Sequence, residues 1–383
     1  MAESRSGSRS GSKSQTVPTL ILGGSGYVSG ELLRLLASHP RLTVRAVLST
    51  TQAEVPVTDA FPHLRGSFPG LCFGAFDTLP TLLAQLLAES DGQPLAVFAA
   101  GPHGASAGMI ERVLVEAESL RLSLHLVDLS ADFRFPDAEQ YREVYGVSHG
   151  APHRLDAFWS GLPEHAAWSM SAAGGEVSPS HTFRHVAHPG CFTTAVTLAS
   201  VPLIKLGLIE PWLNVSAVTG STGSGRTPTA GTHHPERNDN FYGYKALSHR
   251  HEPEMRRLIG QATGQSCDVA FIPHSGPFSR GIHATVQARL REPLEAKTVA
   301  RLLTDFYQHA PFVSVQQEPP RLRDLVTTNR CCLSVATRGH SLVVFSVIDN
   351  LVKGAAGGGI QWMNRLLGLD ETLGLQQPGV GWA

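Results

Sequence analysis

The chain has 383 residues and carries 31 Lys plus Arg against 32 Asp plus Glu, a formal net charge of −1. With no basic excess to neutralise phosphates, the electrostatic case for nucleic-acid binding is absent, and no apolar run reaches the roughly 18 residues that span a bilayer. The length exceeds one ordinary hydrophobic core, so two domains are expected. The five cysteines (Cys72, Cys191, Cys267, Cys331, Cys332) are scattered and lack the CxxC spacing of zinc or redox sites, which points to a reducing, cytoplasmic setting.

Residues 1–16 are Ser-, Gly- and Arg-rich without a hydrophobic stretch, so they form no secretory signal and are expected to be disordered. Val17 to Leu22 reads as a short buried strand, Gly23-Gly24-Ser25-Gly26-Tyr27-Val28-Ser29-Gly30 as a turn, and Glu31 to Leu36 as the helix after it. Strand, glycine turn and helix in this order are the context of a dinucleotide loop. Gly23 and Gly26 let the backbone turn tightly and approach a pyrophosphate resting on the helix N-terminus. The third small position is Ser29 rather than glycine. A second strand, Leu42 to Leu48, ends in Ser49-Thr50-Thr51 with no acidic residue to hold a ribose 2′-hydroxyl. These hydroxyls, with Arg45 nearby, suit a 2′-phosphate and favour NADP over NAD.

Leu95 to Ala100 and Leu124 to Leu129 continue the pattern as buried strands ending in Gly- or Ser-rich loops. This describes a parallel sheet with its ligand crevice outside the carboxyl ends of the strands. His103, Ser130, Asp132 and Arg134 would ring that crevice. The Arg134 fork matches a carboxylate or phosphate, or it forms an ion pair with Asp132 or Asp137.

At His188-Pro189-Gly190-Cys191-Phe192-Thr193-Thr194, a Pro-Gly turn delivers a thiol to the first turn of an apolar helix. Free amide groups and the helix dipole there stabilise a thiolate, the form that covalent catalysis requires. A lone cysteine is otherwise a small buried hydrophobe; the dinucleotide loop upstream favours the nucleophile. Asn214 to Thr219 reads as a strand running into Gly220-Ser221-Thr222-Gly223-Ser224-Gly225-Arg226, either an anion cradle or a hairpin connection. Further strands at Ile282 to Ala288 and Leu342 to Val347 make 191–345 a mainly antiparallel α+β domain whose sheet could lie at a subunit interface. Histidines gather at His233-His234 and at His249-Arg250-His251-Glu252-Pro253-Glu254. They serve as metal ligands or as acid/base groups beside the thiol. His-x-His lacks helical zinc spacing and no cysteine joins it, so no metal is expected.

Five segments, in order from about residue 17 to the C-terminus, resemble the N-acetyl-γ-glutamyl-phosphate reductase family. They are Gly23-Gly24-Ser25-Gly26-Tyr27, Pro189-Gly190-Cys191, Ser221-Thr222-Gly223-Ser224-Gly225, His249 to Glu254, and Asp349-Asn350-Leu351-Val352-Lys353-Gly354-Ala355. The resemblance implies an NADPH-dependent reductase of arginine biosynthesis, akin to aspartate-semialdehyde dehydrogenase and homodimeric or homotetrameric. It implies an α/β Rossmann-type domain over 17–190, completed by 346–383 through a returning helix at Gln361 to Leu367, and a catalytic and oligomerisation domain over 191–345. The implied roles are Cys191 as nucleophile, His249 as acid/base with His251 second, and Arg134 or Arg226 on the substrate. Gly23, Ser25, Gly26, Tyr27, Ser49, Ser224, Gly225 and Asn350 would hold the cofactor. Two departures stand out. The usual Asn-Pro-Gly-Cys-Tyr-Pro-Thr is His188-Pro189-Gly190-Cys191-Phe192-Thr193-Thr194 here. Thr232 to Arg237 and Glu371 to Leu375 look like a branch whose substrate amine is capped by an amino-group carrier protein of lysine and arginine biosynthesis. A different acyl phosphate, such as aspartyl phosphate, and a non-catalytic NADP-binding sensor are the other readings.

Overall fold

The computed structural model describes residues 16–166 and 184–382; the expected disorder of residues 1–15 lies outside them. The first half alternates β1 (Val17–Leu22), α1 (Tyr27–Leu36), β2 (Leu42–Leu48), α2 (Val57–Ala60), β3 (Phe73–Gly74), α3 (Leu79–Glu89), β4 (Leu95–Ala99) and α4 (Ser106–Ser119). It continues with β5 (Leu124–Asp128), α5 (Ala138–Tyr145), β6 (Phe158–Ser160) and β7 (His185–Ala187). All seven strands pair in parallel in the order β3-β2-β1-β4-β5-β7-β6. The central strands β1 and β4 are buried at every position, as a sheet covered on both faces requires.

The second half carries α6 (Cys191–Lys205), β8 (Trp212–Thr219), α7 (His234–Arg237), β9 (Tyr242–Gly243), α8 (His251–Thr263), β10 (Asp268–Ser275) and β11 (Ile282–Arg289). After it come α9 (Ala296–Phe306), β12 (Val313–Gln316), β13 (Cys331–Arg338), β14 (Ser341–Ile348) and α10 (Gly357–Leu366). Its strands form a second sheet, β12-β13-β14-β11-β8-β10-β9. Most pairs are antiparallel, with β8 beside β10 and β12 beside β13 parallel. Strands β8, β10 and β11 bury alternate residues, so one face is core and the other is open. Helix α6 fills that core and is buried continuously from Phe192 to Ile204. Three of its hydroxyls bond back one turn, Thr194 to Gly190 O, Thr197 to Thr193 O and Ser200 to Val196 O, while the buried Thr193 hydroxyl has no partner.

Helix α10 packs on the first sheet rather than the second: Ile360, Trp362 and Met363 share a core with Ile21, Leu32 and Phe98. It starts four residues earlier than the helix implied by the resemblance, because three glycines carry it up to its neighbours. The halves are also tied by Arg280, which pairs with Glu31 of α1 at 2.5 Å and Asp349 after β14 at 3.0 Å. Among the described residues no helix is long and apolar enough to cross a membrane.

Candidate active site

Cys191 is the first residue of α6 and half-buried. Its seat is made by absent side chains. A Cβ on Gly354 would stand 2.7 Å from the Cys191 Cβ, and a Cβ on Gly190 would stand 2.5 Å from His251 Nε2 and 2.9 Å from Arg134 Nη1. Gly354 reaches the thiol because residues 352–356 form a π-turn, with Gly354 N–H donating to Asp349 O at 3.0 Å. The fully buried Glu254 fixes the other side: Oε1 accepts from Gly190 N–H at 2.8 Å, and Oε2 lies 3.5 Å from Arg134 Nη1. Arg134 also donates to His188 O at 3.0 Å and Leu129 O at 3.4 Å. The partner of Arg134 is therefore Glu254, on α8, and neither Asp132 nor Asp137. Asp132 holds Gly104 N–H, Ala107 N–H and the Tyr141 hydroxyl instead.

Burial raises the Cys191 thiol above its usual range, while Arg134, the Phe192 N–H and Arg250 pull it down. The helix end expected to favour a thiolate is present, and desolvation outweighs it, so the resting group is a thiol in need of a base. Two imidazoles stand close by, His249 and His251, with ring centroids 4.7 Å apart and both buried. Desolvation lowers both, His249 to about 4 with Arg250 contributing, and His251 well below its ordinary value. Both are neutral at pH 7. His249 Nδ1 accepts the His251 backbone N–H at 3.1 Å, whereas His251 Nδ1 has no partner. Phe192, Tyr244 and Phe271 surround the His249 ring edge-on.

The glycine turn lies at the carboxyl end of β1. Gly23 takes φ +79°, and a Cβ there would sit 2.4 Å from Gly101 Cα, so two strand-end turns touch. Ser29 suits the third small position because its hydroxyl donates back to Gly23 O at 3.0 Å. Gly26 caps α1, and nothing lies within 4 Å of where its Cβ would stand. The backbone there faces open space, as a pyrophosphate site on a helix N-terminus requires. Ser25 and Tyr27 flank that opening. Ser49 ends β2 buried, its hydroxyl accepting Thr51 and Gln52 N–H groups. Arg45 sits within β2 rather than at its end and pairs with Glu89, which leaves the 2′-phosphate argument to the Ser49-Thr50-Thr51 hydroxyls.

The loop after β8 meets this turn. Arg226 Nη1 donates to Ser25 O at 3.1 Å and its guanidinium lies 5.4 Å above the Phe61 ring. Asn350 anchors the same loop, accepting from Gly281 N–H at 2.7 Å and donating to Thr222 Oγ1 at 3.0 Å. Thus Arg226 reaches the dinucleotide turn and stands on its side of the crevice, while Ser224 and Gly225, just before it, are exposed. His233 and His234 are exposed. Among the described residues no three His, Cys, Asp or Glu side chains are placed to share a metal. Cys331 and Cys332 are buried in different cores.

Sequence reasoning missed Glu254 and Gly354, although both lie in the segments it singled out. A carboxylate at Glu254 and a glycine at Gly354 signal nothing until the loops they touch are in place.

Residues 19–158 match the family described as semialdehyde dehydrogenase, NAD binding domain, and residues 191–350 the one described as semialdehyde dehydrogenase, dimerisation domain. Among curated proteins, "N-acetyl-gamma-glutamyl-phosphate reductase" of Nitrosococcus oceani is 38% identical over 365 residues, covering 94% of this chain and 98% of the relative. The protein of the same name from Marinobacter nauticus is 37% identical with the same coverage. Among solved structures, aspartate semialdehyde dehydrogenase II from Vibrio cholerae superposes with a TM-score of 0.61 at 16% identity, covering 92% of this chain and 98% of that one. Aspartate semialdehyde dehydrogenase with NADP from Candida albicans gives 0.57 at 16% identity, with the same coverage. These structures share the fold.

Proposed function

The chain belongs to the N-acetyl-γ-glutamyl-phosphate reductase family, and on that premise we propose that it reduces N-acetyl-γ-glutamyl phosphate to N-acetylglutamate semialdehyde and phosphate in arginine biosynthesis, with NADPH as reductant. The observation that carries this reading is Cys191 at a helix start, wedged between Gly354 and the Gly190 turn beside two neutral imidazoles.

The Cys191 thiol gives up its proton to an imidazole and attacks the acyl carbon. A C–S bond forms, the C–O bond to phosphate breaks, and phosphate leaves with that electron pair, giving a thioester on Cys191. NADPH would be held by Gly23, Ser25, Gly26, Tyr27 and Ser49 on one side and by Ser224, Gly225 and Asn350 on the other, and when bound would supply a hydride to the thioester carbon; the C–S bond then breaks, releasing the aldehyde and restoring the Cys191 thiol. His249 is placed to assist the oxyanion: with Nδ1 accepting the His251 amide N–H, its neutral ring carries hydrogen on Nε2 and gives a hydrogen bond from it to the developing charge. His251, packed on Gly190 with Nδ1 free of a partner, is the imidazole that takes the thiol proton and returns it to the sulfur when the C–S bond breaks. Arg134, clamped by Glu254 and two carbonyls, holds the Cys191 turn and lends positive charge to the substrate side. Arg226 acts from the cofactor side.

The chain works as a cytoplasmic homo-oligomer, consistent with the dimerisation-domain match over 191–350 and the open face of the second sheet. Light scattering separates dimer from tetramer. The decisive assay runs in reverse, with N-acetylglutamate semialdehyde, phosphate and NADP⁺. Phosphate-dependent NADPH formation that thiol alkylation abolishes is the expected result. A Cys191→Ser variant should lose turnover by at least about a thousandfold and keep NADPH binding; near-normal turnover would remove the covalent scheme. No turnover by folded, NADPH-binding wild type would transfer the reading to a carrier-linked substrate.

A further inference from the structure

Three arginines approach the crevice, and two are already engaged. Arg134 is shared among Glu254, His188 O and Leu129 O, and Arg226 rests on Ser25 O and the Phe61 ring. Arg250 differs. It lies between His249 and His251, immediately before α8, and is exposed, with no hydrogen-bond or ion-pair partner among the described residues. It is also close to the chemistry, since its charge acts on Cys191, His103, His249 and Tyr244. Tyr145 packs against His103, one of the crevice residues, with ring centroids 6.4 Å apart, and its hydroxyl is buried without a partner. A buried hydroxyl left unpaired is costly, and a guanidinium presents a fork that matches a planar or tetrahedral oxyanion.

We propose that Arg250, with the Tyr145 hydroxyl, is the anion anchor of the substrate, taking an oxyanion of the acyl phosphate as the acyl carbon comes to Cys191. The anion is either the transferable phosphate or the α-carboxylate, and both present the same chemistry to the fork. The assignment rests on the acyl-phosphate reading above. It replaces Arg134 and Arg226 as the direct substrate contact, because the first is consumed in positioning and the second faces the cofactor.

The test is Arg250→Gln, with Arg250→Lys and Tyr145→Phe beside it. In the reverse reaction, Arg250→Gln should raise the KM of one anionic partner by about 10- to 100-fold, the scale of a charged hydrogen bond. A change in the phosphate KM assigns the phosphate; a change in the semialdehyde KM assigns the carboxylate. Arg250→Lys should recover part of the loss, while NADPH affinity and thermal midpoint stay at wild-type values. A second measurement needs no turnover: protection of Cys191 from iodoacetamide by inorganic phosphate or by N-acetylglutamate. Wild type should be protected by one of them, and Arg250→Gln should not. Unchanged KM values, or protection that is equal in both proteins or absent from wild type, would overturn the anchor. If wild type fails to turn over the semialdehyde, the acyl-phosphate reading fails, and the protection experiment still decides the anchor.

Discussion

Cys191 shows how much of a candidate nucleophile's setting is legible before folding. The Pro-Gly turn and the apolar run after it marked a thiol at a helix start, a local property that α6 shows. Its protonation was not legible, because desolvation depends on what covers the thiol, and the covering groups come from α8 and from the segment before α10. Gly354→Ala tests the seat. The added methyl would have to enter at 2.7 Å from the Cys191 Cβ, and overpacking of this kind costs about 1–3 kcal/mol. The expected outcome is a folded, less stable protein whose turnover falls by about a hundredfold or more, since small displacements of reacting groups are amplified in rate. Denaturant midpoint and kcat measured on one preparation check both halves; a stable variant with wild-type kcat would show that the thiol tolerates a shift.

Among the elements, the loop 221–226 was the most ambiguous in sequence, where anion cradle and hairpin connection look alike. The deciding contacts span more than a hundred positions, from Asn350 to Thr222 and from Arg226 to Ser25, and periodicity carries no information at that separation. The parallel sheet, by contrast, was plain from its continuous apolar strands. The short strands β6 and β7 that extend it were not read, because three residues give no period. If Asn350 anchors the loop, Asn350→Ala frees the Thr222 hydroxyl and leaves the Gly281 N–H without its acceptor. The KM for NADPH should rise about tenfold, with a stability loss of about 1–3 kcal/mol for the orphaned group. Fluorescence titration of NADPH checks the first, and an unchanged affinity would detach the loop from cofactor binding.

At the scale of the whole molecule, the junction between the sheets is buried and charged. Lys353 pairs with Glu164 at 2.5 Å, both fully buried. His188 lies against Gly358 with neither ring nitrogen hydrogen-bonded. Burial, with Lys353 and Arg134 adding positive charge, drives His188 down to about 3. Its folded pKa lies below the unfolded value of about 6.5, so between these pH values only the unfolded chain binds the proton. Stability falls as pH drops, by about 1.4 kcal/mol per unit below about 6.5 for this group alone. Glu164, held at about 2 against its burial by Lys353, acts in the same direction at lower pH, its contribution being lost as acid approaches that value. Denaturant midpoints should therefore already decline from pH 7 to 5, before ordinary carboxylates titrate, and His188→Asn should make that decline shallower by one proton's share, the rest coming from His249, His251 and the other buried neutral histidines. A flat wild-type profile over this window would contradict the burial of a neutral ring.

The glycine contacts have a consequence in genetic terms. Any missense change at a glycine codon adds at least a methyl. At Gly190, Gly354 and Gly358 that methyl lands within 2.7 Å of His251, Cys191 or His188. Gly108, on the exposed side of α4, has nothing within 4 Å of its absent Cβ. A saturation library selected for growth without arginine should leave the first three codons nearly monomorphic while Gly108 drifts. The heritable footprint of this active site would then include positions that carry no reactive group at all.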